Sequence, residues 1–387
     1  MDSHSQHLNS SATKELFHNY WDIFGGLIFA ALTLFLHSSG LASWAALTAA
    51  ISISLFSVTV SEIAEILAEK LDEPYGSFVL TLSAVIVEII LLFMIIQQAR
   101  VSPEAIETVK GSLISFVIVD INVLWGLAVF IGGLTFKEQT HNEDTSSSYT
   151  TILLVTALIL LIPSVLALSD HTGSTLLQST YLISALLFVF YIVILIFQTR
   201  THIHFFKPTA RSRIFRYRRR LDIAEEEDRD EHYLFANRGV KFNIMAIFSL
   251  LFVIGLLSEI FAQDGVHVLV TTGIPVGIAG LILALISVTP ELFTAIKAAK
   301  NDQIQRVINI AMGASTVSIL LTVPVLILLA SMGHITMTLD FNPLQVGALI
   351  FTILLAWKTT TDGETDYLKG ASHLIFFLGY TIIAALY

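Results

Sequence analysis

Long apolar runs separated by short polar stretches dominate this chain. About 20 consecutive apolar residues cross a bilayer as a helix, and such runs fall near 22–39, 43–68, 77–97, 111–133, 150–168, 177–198, 242–262, 268–297, 304–330, 345–357 and 370–386. The pattern predicts eleven transmembrane helices. A membrane barrel would instead show segments of ~10 residues alternating between apolar and polar. Composition agrees: of 387 residues, 55% are hydrophobic and 13% charged, with a mean hydropathy of +0.77. Soluble domains carry about 25% charged residues, so a soluble enzyme is excluded. A net charge of -10 with few basic residues excludes a nucleic-acid binder. With no cysteine, disulfides, thiolate catalysis and cysteine metal sites are excluded too. The opening MDSHSQHLNSSATKELFHNY lacks a basic and an apolar signal region, so no cleavable leader is expected.

Lys and Arg orient the spans. The stretch after the sixth span carries Arg211, Arg213, Arg216, Arg218, Arg219 and Arg220, which places it in the cytoplasm under the positive-inside rule. Of the 21 Lys and Arg, only Arg100 and Lys110 then fall in outer loops. The expectation is an N-terminus inside and a C-terminus outside, in a bacterial inner membrane. The expected divisions are a cytoplasmic tail at 1–21, a first helix at 22–42, a five-helix repeat at 43–199, a cytoplasmic linker at 200–241 and a second five-helix repeat at 242–387. The linker joins a basic RSRIFRYRRR to an acidic AEEEDRDE. It suits a solvated connector and topology signal, a contact for anionic lipid, or a cation sensor.

The division into repeats rests on matched residues. Setting the first span aside, the second and seventh correspond, and both hold Ser-Glu-Ile, at Ser61–Ile63 and Ser258–Ile260. The third and eighth each hold one glutamate in apolar sequence, Glu88 and Glu291. An offset of five helices makes the halves antiparallel, the pattern of inverted-repeat transporters whose site lies near the bilayer midplane.

Ionisable residues within spans cost about 2.5–3.5 kcal/mol each on insertion scales, and so mark function by default. Glu88 lies near mid-span with no Lys or Arg in its helix. A desolvated carboxylate favours its neutral form, so such a group readily trades a proton for a cation. Glu291 follows Ser287-Val288-Thr289-Pro290. Proline kinks or breaks a helix and frees a carbonyl, which with the Ser287 and Thr289 hydroxyls gives the oxygen ligands a hard cation takes. Asp120 and Asn122 in the fourth span, with Ser315, Thr316 and Ser318 in the ninth, are auxiliary polar candidates. Glu62 and Glu65 lie near one end of the second span and Glu259 near the outer end of the seventh, as entrance acids or as interfacial residues. His37, His141, His171, His334 and His373 lie near span ends without metal-ligand spacing and are expected at the interface. A phosphate-binding Gly-x-x-x-x-Gly-Lys is absent, as are His-Glu-x-x-His and Gly-x-Ser-x-Gly, which argues against an ATP-driven pump and the commoner membrane hydrolases.

The segments LDEPYGSFVLTLSAVIVEIILL and SVTPELFTAIKAAKNDQIQRVINIAMGAS resemble the two signature repeats of the cation/calcium exchanger superfamily, most closely its ChaA-like calcium/proton antiporters. The resemblance covers most of the chain. It implies eleven helices, with one extra helix and two inverted five-helix repeats, and assigns Glu88 and Glu291 to alternating cation and proton binding. By position, Glu65 and Glu259 match further acids of the family, and Asp120 stands where better-known exchangers have asparagine. Those exchangers carry Gly-Asn-Ala before each key glutamate, unlike the Ala84–Val87 and Ser287–Pro290 segments here. The lost amides fit a site that takes sodium or potassium as well as calcium, as the ChaA-like group implies.

The resulting expectation is a secondary antiporter, not an enzyme, exchanging cytoplasmic Ca2+ (with Na+ or K+ as alternatives) for external H+. No cofactor is expected, and the partners are membrane lipid and the transported ions. The rivals are a cation channel built on the same acids, a monovalent-only antiporter, and a non-transporting membrane scaffold or enzyme.

Overall fold

In hydrocarbon every backbone polar group must be satisfied within the chain, which leaves helices as the natural form for these apolar runs. The computed structural model describes residues 20–70, 75–168, 173–207, 235 and 238–386, with the side chains of 68, 69 and 75–81 left aside. Most of the 200–241 linker, the N-terminal tail and His171 lie outside the described residues.

Among the described residues, eleven helices are long and apolar enough to span a membrane. They are α1 (Trp21–Ser38), α2 (Ala42–Lys70) and α3 (Tyr75–Gln97), then α4 (Glu104–Phe136), α5 (Glu143–Ala167) and α6 (Gly173–Thr201). The second half has α7 (Val240–Thr272), α8 (Val276–Lys300), α9 (Ile304–Met332), α10 (Pro343–Thr360) and α11 (Tyr367–Leu386). Two short strands, β1 (Glu138–Thr140) and β2 (Glu364–Asp366), pair antiparallel and tie the α4–α5 loop to the α10–α11 loop.

Punctuation residues set the boundaries. The sequence placed a loop at 263–267, but α7 runs through it to Thr272. It stops where Gly273 takes a left-handed φ of 68° and its N–H caps Leu269 O at 3.1 Å, and Pro275 precedes α8. The polar residues that suggested a loop are interfacial: Asp264 accepts from His37 Nδ1 at 2.8 Å. The tenth span is also longer than expected. It starts at Pro343 behind a capping box, Asn342 Oδ1 accepting from Gln345 N at 2.8 Å and Gln345 Oε1 from Asn342 N at 3.1 Å.

The packing follows the repeat. Helix α2 lies against α7, α4 against α8 and α11, α3 and α6 against α9, and α5 against α10, while α1 rests on α2. Two crossings bring backbones into contact. A Cβ on Gly280 of α8 would sit 2.8 Å from Gly111 C of α4. One on Gly370 of α11 would sit 2.4 Å from Phe130 N of α4. Small residues at such crossings let membrane helices approach closely. Outward, Leu182, Met245, Phe248, Phe252 and Ile375 expose large apolar side chains.

Loop contacts define two ends. At the basic end Arg306 meets Glu65, Gln139 Nε2 donates to Asp302 Oδ1 at 2.9 Å, and Lys369 meets Asp362 at 2.6 Å. There Asn142 Nδ2 also donates to Phe205 O at 2.9 Å and Asn309 Nδ2 to Phe206 O at 2.9 Å, which fastens the chain leaving α6 onto α5 and α9. At the opposite end Arg100 donates to Gly333 O at 3.0 Å. Lys110, expected in a loop, is buried inside α4 and paired with Glu107 at 2.8 Å and Asp340 at 3.0 Å. The Lys110 ammonium helps hold the Asp340 carboxyl below its ordinary range.

The positive-inside expectation assigns the basic end to the cytoplasm. Because the chain has no cysteine, single cysteines test it cleanly. Val101→Cys, 86% exposed at the opposite end, should react with an impermeant maleimide from outside whole cells. Thr361→Cys, exposed at the basic end, should react only after the inner face is opened. Labelling of both from one side would contradict the orientation.

Candidate functional site

Acids of the two repeats come near one another between α3, α4, α8 and α9. Glu88 of α3 is 5% exposed, and its Oε2 accepts from Ser318 Oγ of α9 at 2.7 Å. Asp120 of α4 is 2% exposed, and its Oδ2 accepts from Ser315 Oγ of α9 at 3.2 Å. Glu291 of α8 is half-buried and lies within electrostatic reach of Glu88. Asp120 lies within reach of both glutamates. The second oxygens, Glu88 Oε1 and Asp120 Oδ1, are buried with no hydrogen-bond donor. No ion pair among the described residues reaches these acids; the pairs lie at the two ends.

Two irregular turns shape this region. Both α4 and α9 widen into a π-turn, over Asp120–Trp125 and Ser318–Thr322. Such bulges add a residue to a helical turn and recur at functional sites. In α9 the turn runs into Pro324, which has no N–H to give the preceding turn. In α4 no proline is present, and Asn122 Nδ2 donates to Ile118 O at 3.0 Å instead. The turns therefore sit where the acids and their hydroxyl partners are, one in each repeat.

Helix α8 differs from expectation. It continues unbroken from Val276 to Lys300 through Pro290. The proline costs only the bond to Ile286 O, one turn before it. Ser287 is buried four residues before Glu291, on the same helix face. The Thr289 hydroxyl donates back to Leu285 O at 2.7 Å. Ser315 lies beside Asp120, its hydroxyl 3.2 Å from Oδ2. Ser318, one of the auxiliary candidates, donates to Glu88, and Thr322, outside the expected set, approaches the same carboxylate. Their signal was the spacing 315, 318, 322, which is one face of a helix.

The entrance acids stay apart from this cluster. Glu65 is partnered by Arg306 of α9, so its charge is offset. Glu62 is half-buried near it on α2. Glu259 is exposed on α7, one turn from Gln263, whose Nε2 lies 3.5 Å from its Oε1. Two histidines are not interfacial. His373 is fully buried. His141 is also buried, packed edge-on against Trp125 at 6.0 Å, and burial pushes its pKa down to about 4. His37 and His334 remain exposed in part or in full. Asp22 of α1 is also buried, accepting from Thr59 Oγ1 at 2.5 Å with its Oδ1 left without a donor.

Chemically the cluster is a set of hard oxygens, three carboxylates and two serine hydroxyls, in a desolvated setting. Among the described residues no three acids or histidines converge closely enough to hold a metal ion alone. Hydroxyls, carbonyls or water must complete any cation's shell. A proton or a cation would each satisfy the two donorless oxygens, and a protein that alternates between the two is an exchanger.

The sequence profile described as "Sodium/calcium exchanger protein" matches residues 37–200 and 242–386. The "Sodium-potassium/proton antiporter ChaA" of Escherichia coli (strain K12) is 30% identical over 336 residues, 86% of this chain and 87% of its own. A "Ca(2+)/H(+) antiporter" of Aphanothece halophytica is 22% identical over 364 residues, 91% of this chain and 94% of its own. Among solved structures, native YfkE superposes with a TM-score of 0.76 at 17% identity, covering 95% of this chain and 99% of that one. The "H+/Ca2+ Exchanger CAX" gives 0.64 at 15% identity, with 94% and 91% covered. These two structural likenesses establish the fold.

The Glu65–Arg306 pair generates a test with opposite signs. Arg306→Gln frees a carboxylate at the basic end and should lower the cation concentration for half-maximal exchange when the ion is supplied there. Glu65→Gln leaves an unpaired guanidinium and should raise it. For groups this exposed each effect is about 1 kcal/mol or less and fades with salt. Shifts in the same direction in sided flux assays would show that the pair does not act through charge.

Proposed function

The chain belongs to the sodium/calcium exchanger protein family, and we propose that it is a proton-coupled cation antiporter working at Glu88 and Glu291. The substrates are cytoplasmic Ca2+, with Na+ and K+ as alternatives, exchanged for external protons. The observation that carries this reading is the pair of buried carboxylate oxygens, Glu88 Oε1 and Asp120 Oδ1, left without a donor beside Glu291. Buried polar atoms in proteins are normally partnered. A buried carboxylate is costly without a proton or a cation.

In the cycle, a cation entering from the basic end displaces protons from the carboxylates and takes oxygens from Glu88, Glu291, Asp120 and the hydroxyls beside them. It leaves on the other side, and protons replace it. One divalent ion for two protons on two carboxylates is electroneutral, and Asp120 offers a third charge to balance. Rocking of the inverted repeats gives alternating access. The orientation that goes with this reading has the N-terminus in the cytoplasm and the C-terminus outside, in a bacterial inner membrane. Selectivity follows from the ligand set: carboxylates with serine hydroxyls and no amide in direct contact suit Na+ and K+ as well as Ca2+, in keeping with the name of the Escherichia coli relative.

Proton flux in proteoliposomes, with Ca2+, Na+ and K+ offered separately, tests the reading. Wild-type flux should saturate and require a counter-gradient, which a channel would not. Glu88→Gln and Glu291→Gln keep the shape but remove the exchangeable proton and the charge. A charge contact at about 4 Å and an effective dielectric of about 20 is worth about 4 kcal/mol, so each should lose exchange on the order of 10²–10³-fold. Wild-type exchange in either variant would remove the basis of the mechanism.

A further inference from the structure

His373 is a fully buried titratable side chain to which the exchange cycle gives no task. It lies on α11, outside the four helices that carry the acids, yet it reaches back to one of the widened turns. Its Nδ1 is 2.9 Å from Asn122 Oδ1, and its Nε2 is 2.9 Å from Thr359 Oγ1 of α10. Asn122 sits in the π-turn that begins at Asp120, two residues further along the same turn. We propose that His373 is a positioning residue of the transport site: by holding Asn122 it fixes the π-turn of α4 and, through it, the direction of Asp120. The proposal rests on the reading of Asp120 as part of that site.

Donor and acceptor chemistry fixes the arrangement. The Asn122 amide nitrogen faces Ile118 O at 3.0 Å, an oxygen that can only accept, and Thr352 Oγ1 of α10 at 2.9 Å. With the amide pinned this way, Oδ1 must face His373 and can only accept. In the neutral ring the proton therefore sits on Nδ1, and Nε2 accepts from the Thr359 hydroxyl. Asn122 is thus gripped from three helices: its own α4, α10 through Thr352, and α11 through His373.

That grip has a purpose in the helix geometry. A π-turn carries one residue more than an α-turn, and Ile118 O faces the Asn122 side chain within it. Closing the turn to α geometry would rotate the residues on one side by roughly 100° about the helix axis. Asp120 opens the turn, so such a rotation would turn its carboxylate away from Ser315 and the two glutamates. The crossing of α4 and α11 adds rigidity where the grip is made. A Cβ on Gly126, directly after the turn, would lie 2.8 Å from His373 Cβ, so the histidine is seated against the α4 backbone. Without His373, Asn122 Oδ1 would be a buried acceptor with nothing to accept from, and the amide would be free to turn.

The test separates a positioning role from a proton-carrying or merely structural one. His373→Leu removes the donor to Asn122. It should raise the cation concentration for half-maximal exchange by about tenfold or more, the usual consequence of removing a group that orients an ion's ligand. The maximal rate should change less. His373→Asn places an amide N–H where Nδ1–H was, cannot titrate, and should return the half-maximal concentration to within a few-fold of wild type. Asn122→Leu removes the other end of the same contact and should reproduce the His373→Leu shift, which keeps the test decisive if His373→Leu does not fold. Wild-type cation dependence in folded His373→Leu or in Asn122→Leu overturns the proposal, as does His373→Asn being as impaired as His373→Leu. Asp120→Asn, measured alongside, should also raise the half-maximal concentration; if it does not, the proposal falls with Asp120's place in the site. If Glu88→Gln abolishes exchange while the histidine variants are silent, the positioning proposal alone has failed. If Glu88→Gln exchanges normally, the reading of the site has failed first.

Discussion

A carboxylate in the middle of a membrane must be given a proton, a cation or a donor, and this structure is organised around acids that are given too few donors. Serine hydroxyls supply one hydrogen bond each to Glu88 and Asp120, which leaves a further oxygen on each side chain unmet. Several charged groups elsewhere are paired, although other buried atoms, Asp22 Oδ1 of α1 among them, also lack a donor. Lys110 has two acidic partners, Arg306 has Glu65, and threonines and serines along the helices bond back to their own carbonyls, as Ser112 and Thr150 do. Glu88 and Asp120 are set apart by lying within electrostatic reach of each other and of Glu291. Their unmet oxygens lie between the two repeats, where the proposed exchange would supply an ion or a proton.

The rest of the architecture serves that placement. Gly280 against Gly111 and Gly370 against Phe130 let helices of opposite repeats approach to backbone contact, which draws the acid-bearing helices together without bulky side chains between them. The π-turns of α4 and α9 then aim polar groups inward from otherwise apolar helices. Ion pairs and polar clusters close the two ends, and the polar cluster at the basic end also fastens the start of the linker to α5 and α9. Each of these features trades some helix regularity or surface freedom for a site held by several helices at once.

Much of this was visible in the sequence because the membrane simplifies the code. Apolar run length alone gave eleven spans, and Glu88 stood out because nothing in its helix could pair with it. The second glutamate and the repeated Ser-Glu-Ile pointed to the inverted repeat. What escaped was set by contacts between distant helices. Gln263, Asp264 and His267 looked like a loop because they are polar, but they prolong α7 at the interface, where Asp264 meets His37. Pro290 looked like a break, yet a single missing hydrogen bond did not stop α8. Nothing in the run Asp120–Trp125 announces a π-turn, since the group that supports it, Asn122, is held by Thr352 and His373 from more than 200 positions away. His373 itself is the seventh residue of α11 and so reads as interfacial; only its partners show that it is interior.

In the proposed cycle one set of carboxylates holds either cation or protons, never both in full. Counting protons on cation binding tests this most directly. Calorimetric titration of the purified protein with Ca2+, Na+ and K+, repeated in buffers of differing ionisation enthalpy, reports the protons released per ion bound. Release is expected with every ion that binds, about two protons for a divalent ion and about one for a monovalent ion by charge balance across the carboxylates, and loss of that release in Glu88→Gln. Binding of the transported ion with no proton release would contradict it.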